Sequence, residues 1–431
     1  MLQKDSPTCC KDTLRLILTI FSSHNWVLHS LDVKAAFLQG LPIERELFLK
    51  PPKHAKTRNL WRLLQCPYGL SDASRQWYLR VVYELCQLGG KQSKYDKAVF
   101  MWHDHHGALK GIVASHVDDF IVAGNKDFHK NVVSQIHTVF AIGSEESCSF
   151  KYIGMDISVT NLKIELSMNE YVFAVNPLDM SLFPSDKAAK LSAKETLVLK
   201  RVAGQINWVA TQSRPDMSYE NCVIGNSMKN PTVNDARLIN RAIRKMKRDN
   251  VSLSFNSVKI LKSTLVAFCD ASFASLPNGG SQGAFIIFLI DCNGTYCPLT
   301  WQSRRIRRVV KSTIAAECLA AIEAAEASVL MKTMLYEFCG SDMNIDIVIY
   351  CDNRNLVDCV KSSTSIEDKR LLIDIAVLRD MLSQKEISEI IWIPTDKQLS
   401  NCLTKQGASS QSLVHVLNND LKFNFNDAIF V

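Results

Sequence analysis

At 431 residues the chain has room for two or three domains, and an apolar fraction of 47% supplies sizeable cores and excludes disorder. No apolar run approaches the ~18 residues that a membrane-spanning helix requires, and Met1 is not followed by a secretory signal pattern, so a chain that is neither secreted nor membrane-bound is expected. The formal charge of +7 is modest but has the sign a nucleic-acid binder needs.

In chain order, Thr13 to Phe21 reads as an amphipathic helix, and Leu31 to Phe37 as a strand carrying Asp32 into a helix. Ala73 to Leu88 is a helix with Trp77 and Leu85 on its apolar side. Val99–Trp102 and Leu109–Ala114 are strands around His103-Asp104-His105-His106-Gly107, which reads as an exposed hairpin tip in preference to a metal site. Next comes Ser115-His116-Val117-Asp118-Asp119-Phe120-Ile121-Val122, two adjacent carboxylates between residues of high strand propensity. Like charges at a half-buried turn are costly unless a cation offsets them. Asp32, Asp118 and Asp119 therefore make a candidate metal site, although most bare Asp-Asp pairs are solvated turns. Side chains alternate faces along a strand, so Asp118 and Asp119 converge only if the turn rotates one of them.

From about residue 150 to 255 a hairpin gives way to helices, with Lys187 to Lys194 a polar, helix-friendly surface segment. Between Asp235 and Arg248 the residues Ile239, Ile243 and Met246 fall on one helical face, and Arg237, Arg241, Arg244, Lys245 and Arg248 on another. That helix either tracks a phosphate backbone or is an ordinary solvated helix. A second basic cluster holds Arg304, Arg305, Arg307 and Arg308. A further module begins with the apolar strand Leu265–Phe273, which carries Asp270. Strands at Gly283–Ile290 and Leu299–Ser303 follow, then a long helix with Glu317 and a strand Ile345–Tyr350 that ends at Asp352. Singly, each acid is as readily a surface charge. The fourteen cysteines are scattered without a Cys-x-x-Cys pair, and several (Cys86, Cys222, Cys318, Cys359) sit in apolar stretches, so buried reduced thiols are expected.

The motifs Leu31–Gly40, Pro67-Tyr68-Gly69-Leu70-Ser71-Asp72-Ala73-Ser74-Arg75-Gln76-Trp77, His116-Val117-Asp118-Asp119 and Arg214-Pro215-Asp216, with the module after about residue 264, resemble in order those of copia-type LTR retrotransposon Pol polyproteins. His116 stands where the commoner motif has Tyr, as in a subgroup of such elements in animals. The resemblance implies an α+β chain: a right-hand polymerase (palm, partial fingers, thumb) followed by an α/β RNase H-like domain with a mixed sheet. The expected domains are a reverse transcriptase palm with partial fingers at 1–160, thumb and connection at 161–258, the RNase H-like domain at 259–410 and a tail at 411–431. It further implies Asp32, Asp118 and Asp119 as polymerase ligands for Mg²⁺ or Mn²⁺, and Asp270, Glu317 and Asp352 as those of the RNase H-like site. Phe37, Tyr68 and Gly69 would line the nucleotide pocket, with Phe37 a steric gate or simply a core residue, while Arg75 and Trp77 are structural. The implied partners are an RNA template, a DNA primer, an RNA–DNA hybrid, deoxynucleoside triphosphates and other parts of the polyprotein, in a cytoplasmic virus-like particle with possible nuclear entry.

Two departures matter. Ser400-Asn401, before Leu403-Thr404-Lys405, stands where the family supplies a fourth acid, and the neutral Asn401 oxygen is a weaker ligand. Leu2 to Thr8 resembles the middle of the fingers, so an N-terminally truncated piece is expected, and a non-catalytic remnant or co-opted nucleic-acid-binding protein stays open beside an active polymerase.

Overall fold

A computed structural model describes residues 4–160, 163–276, 279–340, 343–362 and 366–431. It comprises two compact units. The first holds the described residues up to Ile17, Asn25–Ile153 and Glu337–Gly340; the second holds Leu18–His24, Gly154–Tyr336 and the rest from Ser341.

The chain enters on helix α1 (Lys11–His24). The first unit continues with β1 (Val27–Val33), β2 (Phe48–Leu49), β3 (Trp61–Arg62), α2 (Ala73–Gln87), β4 (Lys91–Gln92), β5 (Val99–His103), β6 (Leu109–His116) and β7 (Asp119–Gly124). Short helices α3 (Lys126–Phe128) and α4 (Ser134–Val139) lead to β8 (Ile142–Ser147) and β9 (Ser149–Tyr152). Six strands form an antiparallel sheet in the order β4-β5-β6-β7-β1-β8. Leu31, Val33, Val113, Phe120 and Val122 meet Trp77, Val81 and Leu85 of α2 and Ile136 of α4 in one core. Alternation along β1 buries Leu31 and Val33 and leaves Asp32 between them on the other face.

The second unit opens on β10 (Met155–Thr160) and β11 (Lys163–Ser167), followed by α5 (Asn169–Ala174), α6 (Ala193–Gln212), α7 (Ser218–Ser227), α8 (Val233–Arg248) and β12 (Ser252–Asn256). β10, β11 and β12 run antiparallel. Next come β13 (Ser263–Leu276), β14 (Gly280–Asp291), β15 (Tyr296–Arg305), α9 (Thr313–Cys339), β16 (Asp346–Cys351), α10 (Arg354–Lys361), α11 (Lys369–Ser383), β17 (Glu389–Trp392) and α12 (Gln411–Asn418). Five strands make a mixed sheet in the order β15-β14-β13-β16-β17, antiparallel from β13 to β15 and parallel from β13 through β16 to β17. The parallel pairings need helical crossovers, which α9 and the α10–α11 pair supply. The whole is α+β, with helices and antiparallel strands first and a mixed α/β sheet after them. Among the described residues no helix is long and apolar enough to cross a membrane.

Arg214-Pro215-Asp216 locks the helical part of this unit. The Arg214 guanidinium donates to both Asp216 carboxylate oxygens at 2.8 Å and to the Met246 carbonyl at 2.8 Å, with both side chains wholly buried. Pairing and complete hydrogen bonding are what make such buried charges tolerable.

Two expectations need correction. α1 is not amphipathic: every residue from Thr13 to Ser22 is buried, Arg15 included, and Arg15 is neutralised by Asp12. All the cysteines are free thiols, but of the four that were expected to be buried only Cys318 is; Cys86 is exposed and Cys222 and Cys359 lie between. Lys187–Lys194 is surface and helix-friendly as expected: α6 begins within it at Ala193, behind a capping box in which Ser192 and Glu195 satisfy each other's backbone N–H groups.

Candidate functional site

His116 pairs with Asp119 across the β6–β7 hairpin, leaving Val117 and Asp118 as a two-residue turn. Val117 sits at φ +59°, the left-handed region that a β-branched residue seldom occupies. This is the rotation that two successive carboxylates on one strand require. β1 lies on the other side of β7, and there Asp32 is directly opposite Asp119, so the two side chains share a face. The turn is held by two backbone acceptors. The Val33 N–H donates to the Asp118 carbonyl at 2.9 Å, and the Trp77 indole N–H from α2 donates to the Val117 carbonyl at 2.6 Å. Gly143 on β8 makes room for the third acid, since a Cβ there would stand 2.6 Å from Asp32 Oδ2.

Half-burial pushes Asp119 up to about 6, with the carboxylates of Asp118 and then Asp32 adding to the shift. Burial lowers the His116 imidazole, against the pull of Asp118, and its buried Nδ1 has no hydrogen-bond partner. Three hard oxygen donors with uncompensated charge fit Mg²⁺ or Mn²⁺. Phe37, in the 3₁₀ turn after β1, stacks at 4.6 Å between centroids on Tyr68, which is exposed. Gly69 beside it has φ +100° and open space around it.

The second set of acids lies in the middle of β13 (Asp270), on α9 (Glu317) and just past the end of β16 (Asp352). Glu317 is 4% exposed, and its Oε2 has no hydrogen-bond partner. The ligand atoms of Glu317, Cys351 and Asp352 all lie within 4.8 Å of one another. Burial raises Glu317 well above the usual carboxylate range, and Asp270, Cys351 and Asp352 add to the shift. Asp270, fully buried, accepts from the Thr404 hydroxyl and, at 3.5 Å, from the Lys405 ammonium; these partly counter the rise that burial causes. Lys405 also donates to Asn401 Oδ1, so one ammonium ties the position of the expected fourth acid to the first.

The basic residues divide. Arg241, Arg244 and Arg248 are exposed along α8, with Arg237 half-buried. Lys245 is committed to Glu220 and the Asp216 carbonyl, at 2.8 and 2.9 Å, and Arg248 to Asp249. Arg304 pairs with Glu323 and Arg308 with Asp374, while Arg305 and Arg307 are exposed. Arg241, Lys245, Arg248 and Arg305 line a cavity of about 1040 Å³ between α7, α8 and the segment after Gln406.

Sequence reasoning missed Gly143, Cys351, Thr404 and the hydrogen bond of Trp77. Lys405 lies in a quoted motif but was given no role. Nothing in a lone Cys before an Asp announces a ligand.

A hairpin-borne acid pair thus lies beside a third acid across one antiparallel sheet. Residues 2–180 match the family described as Reverse transcriptase (RNA-dependent DNA polymerase). The chain is 23% identical over 419 residues to the Retrovirus-related Pol polyprotein from transposon RE1 of Arabidopsis thaliana, covering 93% of this chain and 28% of that protein. It is likewise 23% identical over 428 residues to the Retrovirus-related Pol polyprotein from transposon TNT 1-94 of Nicotiana tabacum, covering 93% of this chain and 31% of that one. The segment matched to the reverse transcriptase family comes first in the chain, and the chain spans less than a third of these relatives' length. Among solved structures, a foamy viral protease-reverse transcriptase in complex with RNA/DNA hybrid aligns with TM-score 0.48 and 9% identity, over 91% of this chain and 46% of that one. An RNase H1 from Halobacterium salinarum aligns with TM-score 0.24 and 20% identity, over 31% of this chain and 89% of that one.

Proposed function

We propose that the chain is the RNA-directed DNA polymerase segment of a copia-type element, extending a DNA primer on an RNA template with deoxynucleoside triphosphates. One observation carries the reading: Asp32 and Asp119 face each other across β1 and β7 beside Asp118, and burial, with those two carboxylates adding to it, lifts Asp119 to about 6. Asp32, Asp118 and Asp119 would hold Mg²⁺ or Mn²⁺. A bound cation there makes the primer 3′-hydroxyl a better nucleophile and offsets charge on the leaving pyrophosphate. The chain's own part is positioning. The Val117 turn aims Asp118, Gly143 leaves space for the Asp32 carboxylate, and Trp77 braces the turn. Phe37 and Tyr68, packed on each other, would form a wall against the incoming sugar, with Gly69 allowing close approach. Exposed Arg241, Arg244, Arg305 and Arg307 would add sequence-independent phosphate affinity.

The second unit would act on the RNA–DNA hybrid through Asp270, Glu317 and Asp352, weakened by Asn401. In the cell the chain would work beside other parts of the polyprotein, in a cytoplasmic particle. A second reading, a nucleic-acid-binding remnant without chemistry, is favoured by the Lys405 ammonium bound to both Asp270 and Asn401.

Primer extension on an RNA template with Mg²⁺, with the chain compared to Asp118→Asn, tests the first reading. Extension that falls at least about a hundredfold in the variant supports it. No extension by either protein, with hybrid binding retained, replaces it with the second.

A further inference from the structure

The hairpin of β2 and β3 has no part in the acid site of the first unit, yet it is dense in positive charge. From Phe48 to Arg62 there are five basic residues and no acidic one in fifteen, against a net charge of +7 for all 431. All five, Lys50, Lys53, Lys56, Arg58 and Arg62, are exposed. Among the described residues only Arg62 meets an acid, Glu46, at a loose 3.8 Å. Large apolar side chains stand in the open between these cations: Leu49 is 46% exposed, Leu60 61% and Trp61 42%. Leu49 pairs directly with Trp61 across the two strands, so the two share a face. Phe48 pairs with Arg62 on the other face and is exposed as well. A two-stranded ribbon with both faces in water gains little stability from such residues, so folding alone does not account for them.

We propose that this hairpin is a docking surface for unpaired, single-stranded nucleic acid, held by phosphate contacts to the cations and by bases stacked on Trp61. Charge selects the occupant. An uncharged apolar partner would bury Lys50, Arg58 and their neighbours without counter-charge, which is costly. A second copy of the chain would bring the same positive charges against them. A single nucleic-acid strand supplies spaced phosphates for the cations and flat apolar faces for the indole, whatever its sequence. A duplex keeps its base faces stacked inside and offers this surface phosphates alone. The hairpin therefore discriminates by strandedness, which the exposed arginines of the second unit, as phosphate contacts only, do not. The inference rests on the reading of the chain as one that handles nucleic acid, but it requires no chemistry at Asp32, Asp118 or Asp119.

The test is fluorescence anisotropy of the full chain with labelled oligouridylate, oligothymidylate and an RNA–DNA hybrid of the same length, in EDTA and without nucleoside triphosphates. Under those conditions no extension occurs, so binding here and primer extension can fail independently. Trp61→Ala should weaken at least one of the two single strands by roughly tenfold, and the hybrid by less than about twofold. A loss confined to one of them names RNA or DNA as the strand that docks. Far-ultraviolet circular dichroism first checks that the variant folds. If it does not, Lys53→Gln combined with Arg58→Gln decides, since it keeps the indole and should flatten the salt dependence of single-strand binding. Unchanged single-strand affinity in Trp61→Ala, an equal loss on the hybrid, or an unaltered salt dependence in the charge variant overturns the proposal.

Discussion

Asp119 gives the first site a pH signature of a definite sign. Its ordinary value is 3.8 and in the fold it rises to about 6, because burial and then Asp118 and Asp32 disfavour its charge. Between those values the folded chain holds a proton that the unfolded chain has released. The stability due to this residue is therefore full below 3.8 and is lost as pH rises through about 6. In metal-free buffer the urea midpoint of the chain, relative to that of Asp119→Asn, should fall across that window. Parallel midpoints for the two proteins would refute the shift. The acids themselves were readable from sequence, because each ends or interrupts an apolar strand run. The pairing of Asp32 with Asp119 beside the Asp118 turn was not: it depends on Val117 adopting a backbone conformation that valine's own preferences argue against, and on Gly143, whose role exists only once β8 lies beside β1. Cys351 escaped for a different reason, since its ligand company comes from α9 and from the chain just past its own strand.

Among the elements, α2 and the β6–β7 hairpin form a mechanical pair. Trp77 packs against Phe120 and Phe140, with ring centroids 6.3 and 5.2 Å away, while its N–H holds the Val117 carbonyl. Trp77→Phe keeps most of the packing and deletes the donor. It should cost about 1–3 kcal/mol in chemical denaturation, and should slow primer extension well beyond what that loss of folded protein explains. Unchanged extension per folded molecule would mean that the turn needs no brace. Periodicity located α2, the hairpin and the mixed-sheet strands, because their burial is one-sided or complete over many residues. α1 was misjudged because its polar residues, Thr13, Arg15, Thr19 and Ser22, are buried with the rest. The start of α6, left unbounded in sequence, is spelled by the Ser192-x-x-Glu195 capping box.

For the whole molecule, the two acid clusters lie in separate units and should respond to substitution separately. Asn401→Asp restores a charged oxygen where Lys405 now donates to an amide. Hybrid cleavage by the full chain should then rise by about tenfold or more, with primer extension unaltered. No gain in cleavage would mean that Asn401 is not what limits the second site.

The tethered ammonium of Lys405 has a bearing on how such a chain ages. A cluster of acids that depends on a dissolved ion to hold it together loses its architecture when a ligand is lost, and selection removes the chain at once. Here the counter-charge is covalently attached, bonded to Asp270 on one side and Asn401 on the other. Substitutions around it leave β13 and the segment from Leu399 to Lys405 joined, so the fold here is less exposed to the loss of a single ligand than a cluster held by an ion.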